Sequence, residues 1–125
     1  TDFVTGCLLF ARSEVLKKVG LFDENYFLYL EDVDLCYRVK SLGLKLLVDP
    51  NIKIWHKVAQ GSAIGSSHND YYISRNRIYF GFKNLSLRTK LALLKEGIRN
   101  LFVGSMSKKI AFLDFLLFRM GKGSY

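Results

Sequence analysis

The chain has 125 residues, half of them hydrophobic and 14% aromatic. That is enough to bury a core, and it excludes a disordered tail or a low-complexity linker. The net charge of +8 is unevenly placed: residues 1–70 hold eight Lys/Arg against nine Asp/Glu, or −1, whereas residues 71–125 hold eleven against two, or +9.

In chain order, "TDFVTGCLLFAR" has no basic stretch ahead of its apolar run, so it does not read as a signal peptide. With Gly6 aside, residues 3–12 read as a short buried strand. "SEVLKKVG" reads as a short helix with Ser13 as its cap and Gly20 as its stop, and "FDENYF" as a turn carrying aromatics. From Glu31 to Leu42 the spacing becomes helical, and Gly43 ends it. "LKLLVDP" reads as a strand closed by Pro50. "IKIWH" alternates, which puts Ile52, Ile54 and His56 on one side of a further strand. "QGSAIGSSHND" is a loop rich in small residues, with His68 in it. Three helical patterns follow, over roughly 71–82, 87–102 and 108–120. The expected fold class is therefore α/β (an α+β fragment), with a mixed region over 1–70 and a basic, amphipathic helical region over 71–125.

The longest apolar stretch, "IAFLDFLLF", is interrupted by Asp114 and is short of the ~20 residues a membrane-spanning helix needs. The two cysteines, Cys7 and Cys36, form neither a metal-binding nor a redox spacing. They fit a reducing compartment, the cytoplasm, and no disulfide framework.

The densest chemistry lies in "FLYLEDVDLCYR", where Glu31, Asp32 and Asp34 fall within four residues. On a helix, Leu35, Cys36, Val39 and Leu42 form an apolar stripe, and Asp32 extends it by one turn. A carboxylate then stands where a hydrophobe is expected. Burial would raise its pKa while the helix N-terminus lowers it, a setting suited to a general base. Asp34 shares another face with Glu31 and Arg38, can pair with Arg38 at i, i+4, and otherwise serves the helix dipole. Read as a D-x-D metal motif, Asp32 and Asp34 fail, because side chains at i, i+2 of a helix point about 200° apart. His56 ends a strand ahead of a small-residue loop; it reads as a strand-end histidine, a single metal ligand or a phosphate contact. One histidine cannot make a site alone, since divalent ions need several ligands.

These residues, in this order, resemble the second half of a family 2 glycosyltransferase of the rhamnosyltransferase-like group: "TGCLLFARSEVLKKVGLFDENYFLYLEDVDLCYRVKSLG", then "VDP", "WH" and "GS". The similarity covers residues 3–62 and continues more loosely through "YYISRNRIYF". The resemblance implies the acceptor-side part of an A-type glycosyltransferase fold, inverting chemistry and a nucleotide-sugar donor. It implies Asp32 as the catalytic base, Glu31, Gly6 and Tyr29 at the acceptor or sugar, and His56 toward Mg²⁺ or Mn²⁺. It places Gly61 and Ser62 in a loop over the diphosphate, and a glycan acceptor, often lipid-linked, in cell-wall or other surface polysaccharide synthesis. The family's nucleotide-binding half is absent from these residues, so the chain by itself is expected to be inactive. Tyr26, Phe27 and Tyr29 could stack on sugar faces, and core packing is an equal reading for Phe27.

In the basic region, "SLRTKLALLKEGIRNLF" sets Leu91, Leu94, Ile98 and Leu101 on one face, with Arg88, Lys90, Lys95 and Arg99 largely off it. "KKIAFLDFLLFRMGKG" carries its charges at the ends. Two readings stand: helices lying peripherally on an anionic membrane surface, at the inner face of the plasma membrane, or helices packing on protein, including a second copy in a homo-oligomer. Nucleic acid is not an expected partner, because the helices are apolar and lack a recognition motif. A non-catalytic membrane-binding or oligomerisation module is the alternative to the transferase reading.

Overall fold

The computed structural model describes residues 1–56 and 65–125. Five helices follow one another: α1 (Ser13–Val19), α2 (Glu31–Ser41), α3 (Ser67–Asn84), α4 (Leu87–Val103) and α5 (Met106–Leu116). Two compact units form, Thr1–Glu24 with Glu31–Val58, and Asn25–Leu30 with Ala59–Tyr125.

In the first unit, α1 carries Glu14 in its first turn and Lys17 and Lys18 in its last, each charge opposite in sign to the nearby dipole end. Ser13 is the first helical residue rather than the cap, which is Arg12, and Gly20 closes the helix at φ 89°. Acids begin α2 and Arg38 and Lys40 end it. Its inner stripe is buried at Leu35, Cys36 and Val39, whereas Leu42 lies beyond the helix and is 44% exposed. The N-terminal segment runs along α2: the Val4 amide donates to Cys36 Sγ at 3.5 Å, and Lys40 pairs with Asp2.

The α/β expectation is overturned. Among the described residues there is no strand; residues 3–10 and 44–56 carry no regular structure beyond turns. Alternating apolar residues report which faces seek burial, but a strand exists only when a neighbouring backbone supplies its ladder. Here the two segments share one terminal link, Thr1 N–H to the Leu46 carbonyl at 3.3 Å. Without a ladder their apolar side chains stay largely in solvent, as Phe10, Leu47 and Trp55 do.

In the second unit, Ser66 and Ser86 cap α3 and α4 by accepting the Asn69 and Thr89 amides. The helix α3 starts four residues earlier than the periodicity indicates, which takes His68 out of the loop and sets it edge-on to Tyr125, 4.8 Å between centroids. Tyr71, Tyr72 and Ala111 centre the core, with Leu28, Tyr29, Ile110 and Tyr125 around them. Gly97 allows α4 and α5 to close on each other: a Cβ there would stand 2.3 Å from the Phe112 ring.

Candidate functional site

Two residues selected from the sequence, 26 positions apart, meet at the start of α2. The Gly6 N–H donates to Asp32 Oδ2 at 2.8 Å, and the Val33 N–H donates to Asp32 Oδ1, also at 2.8 Å. Each carboxylate oxygen thus accepts one backbone amide, which fixes the side chain. The Asp32 side chain lies across the space beside Gly6, where an added Cβ would touch it at 3.5 Å.

Glu31 has the opposite environment. Its Oε2 is buried with no hydrogen-bond partner. Loss of solvent, aided by the adjacent Asp32 charge and opposed by a backbone hydrogen bond, holds its carboxyl above the usual carboxylate range. Of the pair, Glu31 is the acid with a buried oxygen left without a partner.

Asp34 is a structural acid and is completely buried. Arg38 Nε meets its Oδ2 at 2.8 Å, the expected i, i+4 pair. The same guanidinium donates to the carbonyls of Val19 at 2.7 Å and Leu21 at 2.8 Å, so one ion pair ties α2 to the C-terminal end of α1. Spacing alone marks the pair; it does not reveal that Arg38 also satisfies carbonyls left open where α1 ends.

His56 is joined by an unexpected neighbour. Cys7 Sγ lies 3.6 Å from its Nδ1 and 3.7 Å from its Nε2. Nitrogen and sulfur suit a softer ion than Mg²⁺ or Mn²⁺, which take oxygen. Among the described residues no three His, Cys, Asp or Glu side chains come together as a metal site. These residues alone therefore do not fit a divalent cofactor. Gly61 and Ser62, the expected diphosphate loop, lie outside the described residues.

In the second unit, the aromatic turn is sorted by burial. Tyr26 is completely buried, edge-on to Tyr79 at 5.1 Å, and has no face left for a sugar. Tyr29 packs on the core. Phe27, for which core packing was the equal reading, is 57% exposed, tilted on Tyr72 at 5.4 Å. Phe27, Tyr29 and Leu30 have φ of 61°, 67° and 71°, a left-handed run that non-glycine residues adopt only when their surroundings impose it.

The imposing groups are Arg75 and Asn76, which the sequence reading quoted but assigned no role. Both are fully buried. Asn76 Nδ2 donates to the carbonyls of Tyr26, Leu28 and Tyr29 at 2.8, 2.7 and 2.9 Å. Arg75 Nη2 donates to Tyr26 O at 3.2 Å and Gly121 O at 2.7 Å, and its Nε to Asn76 Oδ1 at 3.1 Å. The available signal was two polar residues on the inner side of "YYISRNRIYF": such groups are buried only where they have partners. Asp114, which breaks the apolar run, accepts from Tyr71 Oη at 2.5 Å and from the Ser124 amide and hydroxyl at 2.9 and 2.8 Å. Burial opposes its charge, but these donors outweigh burial and hold its carboxyl low. Burial, then the bond to Asp114, pushes the Tyr71 hydroxyl up to about 12.

No family model matches the chain, and no solved structure matches it significantly. It is 33% identical over 79 residues to the rhamnosyltransferase WbbL of Escherichia coli, covering 63% of this chain and 25% of that protein. It is 30% identical over 95 residues to the N-acetylglucosaminyl-diphospho-decaprenol L-rhamnosyltransferase of Mycobacterium tuberculosis, covering 71% of this chain and 31% of that protein. The chain thus spans only about a quarter to a third of the length of the curated relatives it matches. Over that part, it is a distant relative of rhamnosyltransferases, and the relationship is glycosyltransferase-like.

Proposed function

We propose that this chain is the acceptor-side part of an inverting glycosyltransferase of the family 2 type, one that moves a sugar from a nucleotide-sugar donor to a lipid-linked glycan in cell-surface polysaccharide synthesis. In this reading Asp32 is the catalytic base. The observation that carries it is the carboxylate held by the Gly6 and Val33 amides at the start of α2, in a chain related to rhamnosyltransferases. Inversion needs one group to take the acceptor hydroxyl proton while the donor's leaving group departs from the opposite face. A carboxylate clamped by two amides holds one geometry, so little reorientation is needed at the moment of transfer. Glu31, poorly solvated beside it, is the acceptor-binding partner, and Gly6, with no side chain, leaves room for a sugar against Asp32. Tyr29 stays in this reading as an acceptor or sugar contact, as the resemblance implies.

The resemblance implies Mg²⁺ or Mn²⁺ toward His56, where such an ion would supply counter-charge to a diphosphate. The His56 and Cys7 donors do not by themselves fit it, and no step of this reading runs through it.

The test is Asp32→Asn in the intact transferase. The amide keeps one acceptor oxygen and the shape of the side chain but cannot take the proton. Sugar transfer is expected to fall on the order of 10²–10⁴-fold, with a far smaller loss of melting temperature from the one backbone amide that the Asn side chain no longer accepts. Transfer within a few-fold of the parent would remove the base from Asp32 and make Glu31 the next residue to change.

A further inference from the structure

The helix α4 is amphipathic in an unexpected sense: much of its apolar side faces solvent. Leu87, Leu91, Ile98 and Phe102 fall at i, i+4, i+11 and i+15, which is one side of a helix. They are 71%, 58%, 47% and 76% exposed. Val103 and Met106 are also exposed, at the turn into α5. The inward side is carried by other residues: Gly97, against Phe112, and the Leu93 side chain, beside Gly81. Thus of the one apolar face expected from the sequence, Leu91 and Ile98 are exposed, whereas Leu94 and Leu101 are half-buried.

Arg88, Lys95 and Arg99 flank this row on one edge and are exposed. Both acids of residues 71–125 are engaged within the unit: Glu96 with Arg77, and Asp114 with Tyr71 and Ser124. Of the flanking cations, Arg99 borders the cleft that Asp70 and Glu96 line, whereas Arg88 and Lys95 do not. No helix among the described residues is long and apolar enough to cross a membrane.

From this face we infer that α4 lies on an anionic phospholipid surface, with the Leu87–Phe102 row sunk into the acyl boundary and Arg88, Lys95 and Arg99 at the headgroups. An exposed apolar row of this kind needs a covering partner. Its single basic edge suits a negatively charged interface, where apolar burial and attraction to headgroups add. A protein partner of the same fit would need a matching acidic groove, and the acids on these helices do not supply one: Glu96 and Asp70 are already paired with Arg77 and Lys108, and Asp114 is buried. This inference stands independently of the transfer reaction.

The experiment is co-sedimentation of the 125-residue chain with vesicles of phosphatidylglycerol and phosphatidylcholine, against phosphatidylcholine alone, at low and high salt. The chain is expected to pellet with the anionic vesicles at low salt, much less with the neutral ones, and less again as salt screens the charges. Lys95→Ala with Arg99→Ala should lower the partition coefficient roughly thirtyfold, about fivefold per charge. Ile98→Ser with Phe102→Ser should lower it at least as far. All four positions are exposed, and circular dichroism verifies the helices. If the serine variant fails to fold, the alanine variant and the salt series still decide. Failure of the chain to pellet with anionic vesicles at low salt overturns the inference. So does pelleting that neither variant changes, and so does a dimer in sedimentation equilibrium that the serine variant abolishes while vesicle binding is absent.

Discussion

Adjacent carboxylates in one sequence motif can have opposite energetics, and Glu31 and Asp32 show why. Asp32 gives each oxygen a backbone donor, while Glu31 buries an oxygen with none. An acid whose folded pKa lies above its unfolded value supports folding while protonated. That contribution is complete below the unfolded value of 4.5 and is lost as pH rises through the raised folded value. At neutral pH Glu31 therefore costs stability. Glu31→Gln is expected to raise the melting temperature at pH 7, with the gain shrinking below about pH 4.5. A thermal-unfolding series over pH checks it, and a lower melting temperature at pH 7 would mean that the charge is stabilised.

Between elements, a few polar side chains and one glycine decide the packing. Asn76 serves three carbonyls of the aromatic turn, and the left-handed backbone at Phe27, Tyr29 and Leu30 depends on that service. Asn76→Ala removes the donor these three carbonyls share, although Tyr26 O keeps Arg75 Nη2, at about 1–3 kcal/mol for a buried hydrogen-bonding group that loses its partner. It should lower the denaturation midpoint and speed chymotryptic cleavage at Phe27 and Tyr29, while Asn76→Asp, which keeps an acceptor but lacks the donors, should not rescue either measurement. At the α4–α5 contact, Gly97→Ala drives a Cβ to 2.3 Å from the Phe112 ring. Overpacking of that kind costs about 1–3 kcal/mol, and thermal unfolding should show Phe112→Leu recovering part of it in the double variant. Gly123 is bound by both constraints at once, a φ of 67° and a Tyr71 Oη 2.0 Å from any added Cβ, which explains why the chain's end carries glycine beside Ser124.

Across the whole molecule, what could be read from the residues in order was whatever depends on near neighbours. The helices announced themselves by period and by glycine stops, because those signals act within one turn, whereas the cap expected at Ser13 falls at Arg12. The Asp34–Arg38 pair is four residues apart and was legible for the same reason. The charge split between residues 1–70 and 71–125 is a matter of composition alone. The misread features all depend on partners distant in the chain. Alternation over 3–10 and 44–56 shows a preference for burial, but a ladder requires a second backbone, and none is paired there among the described residues. Which side of α4 faces in was set by Phe112 meeting Gly97, not by the helix's own pattern. That Gly6 reaches Asp32, that Cys7 reaches His56 and that Arg75 and Asn76 hold the aromatic turn are contacts across 26, 49 and about 50 residues. Local propensity carries no information about such contacts; they exist because burying polar groups is tolerated only when the fold brings them a partner.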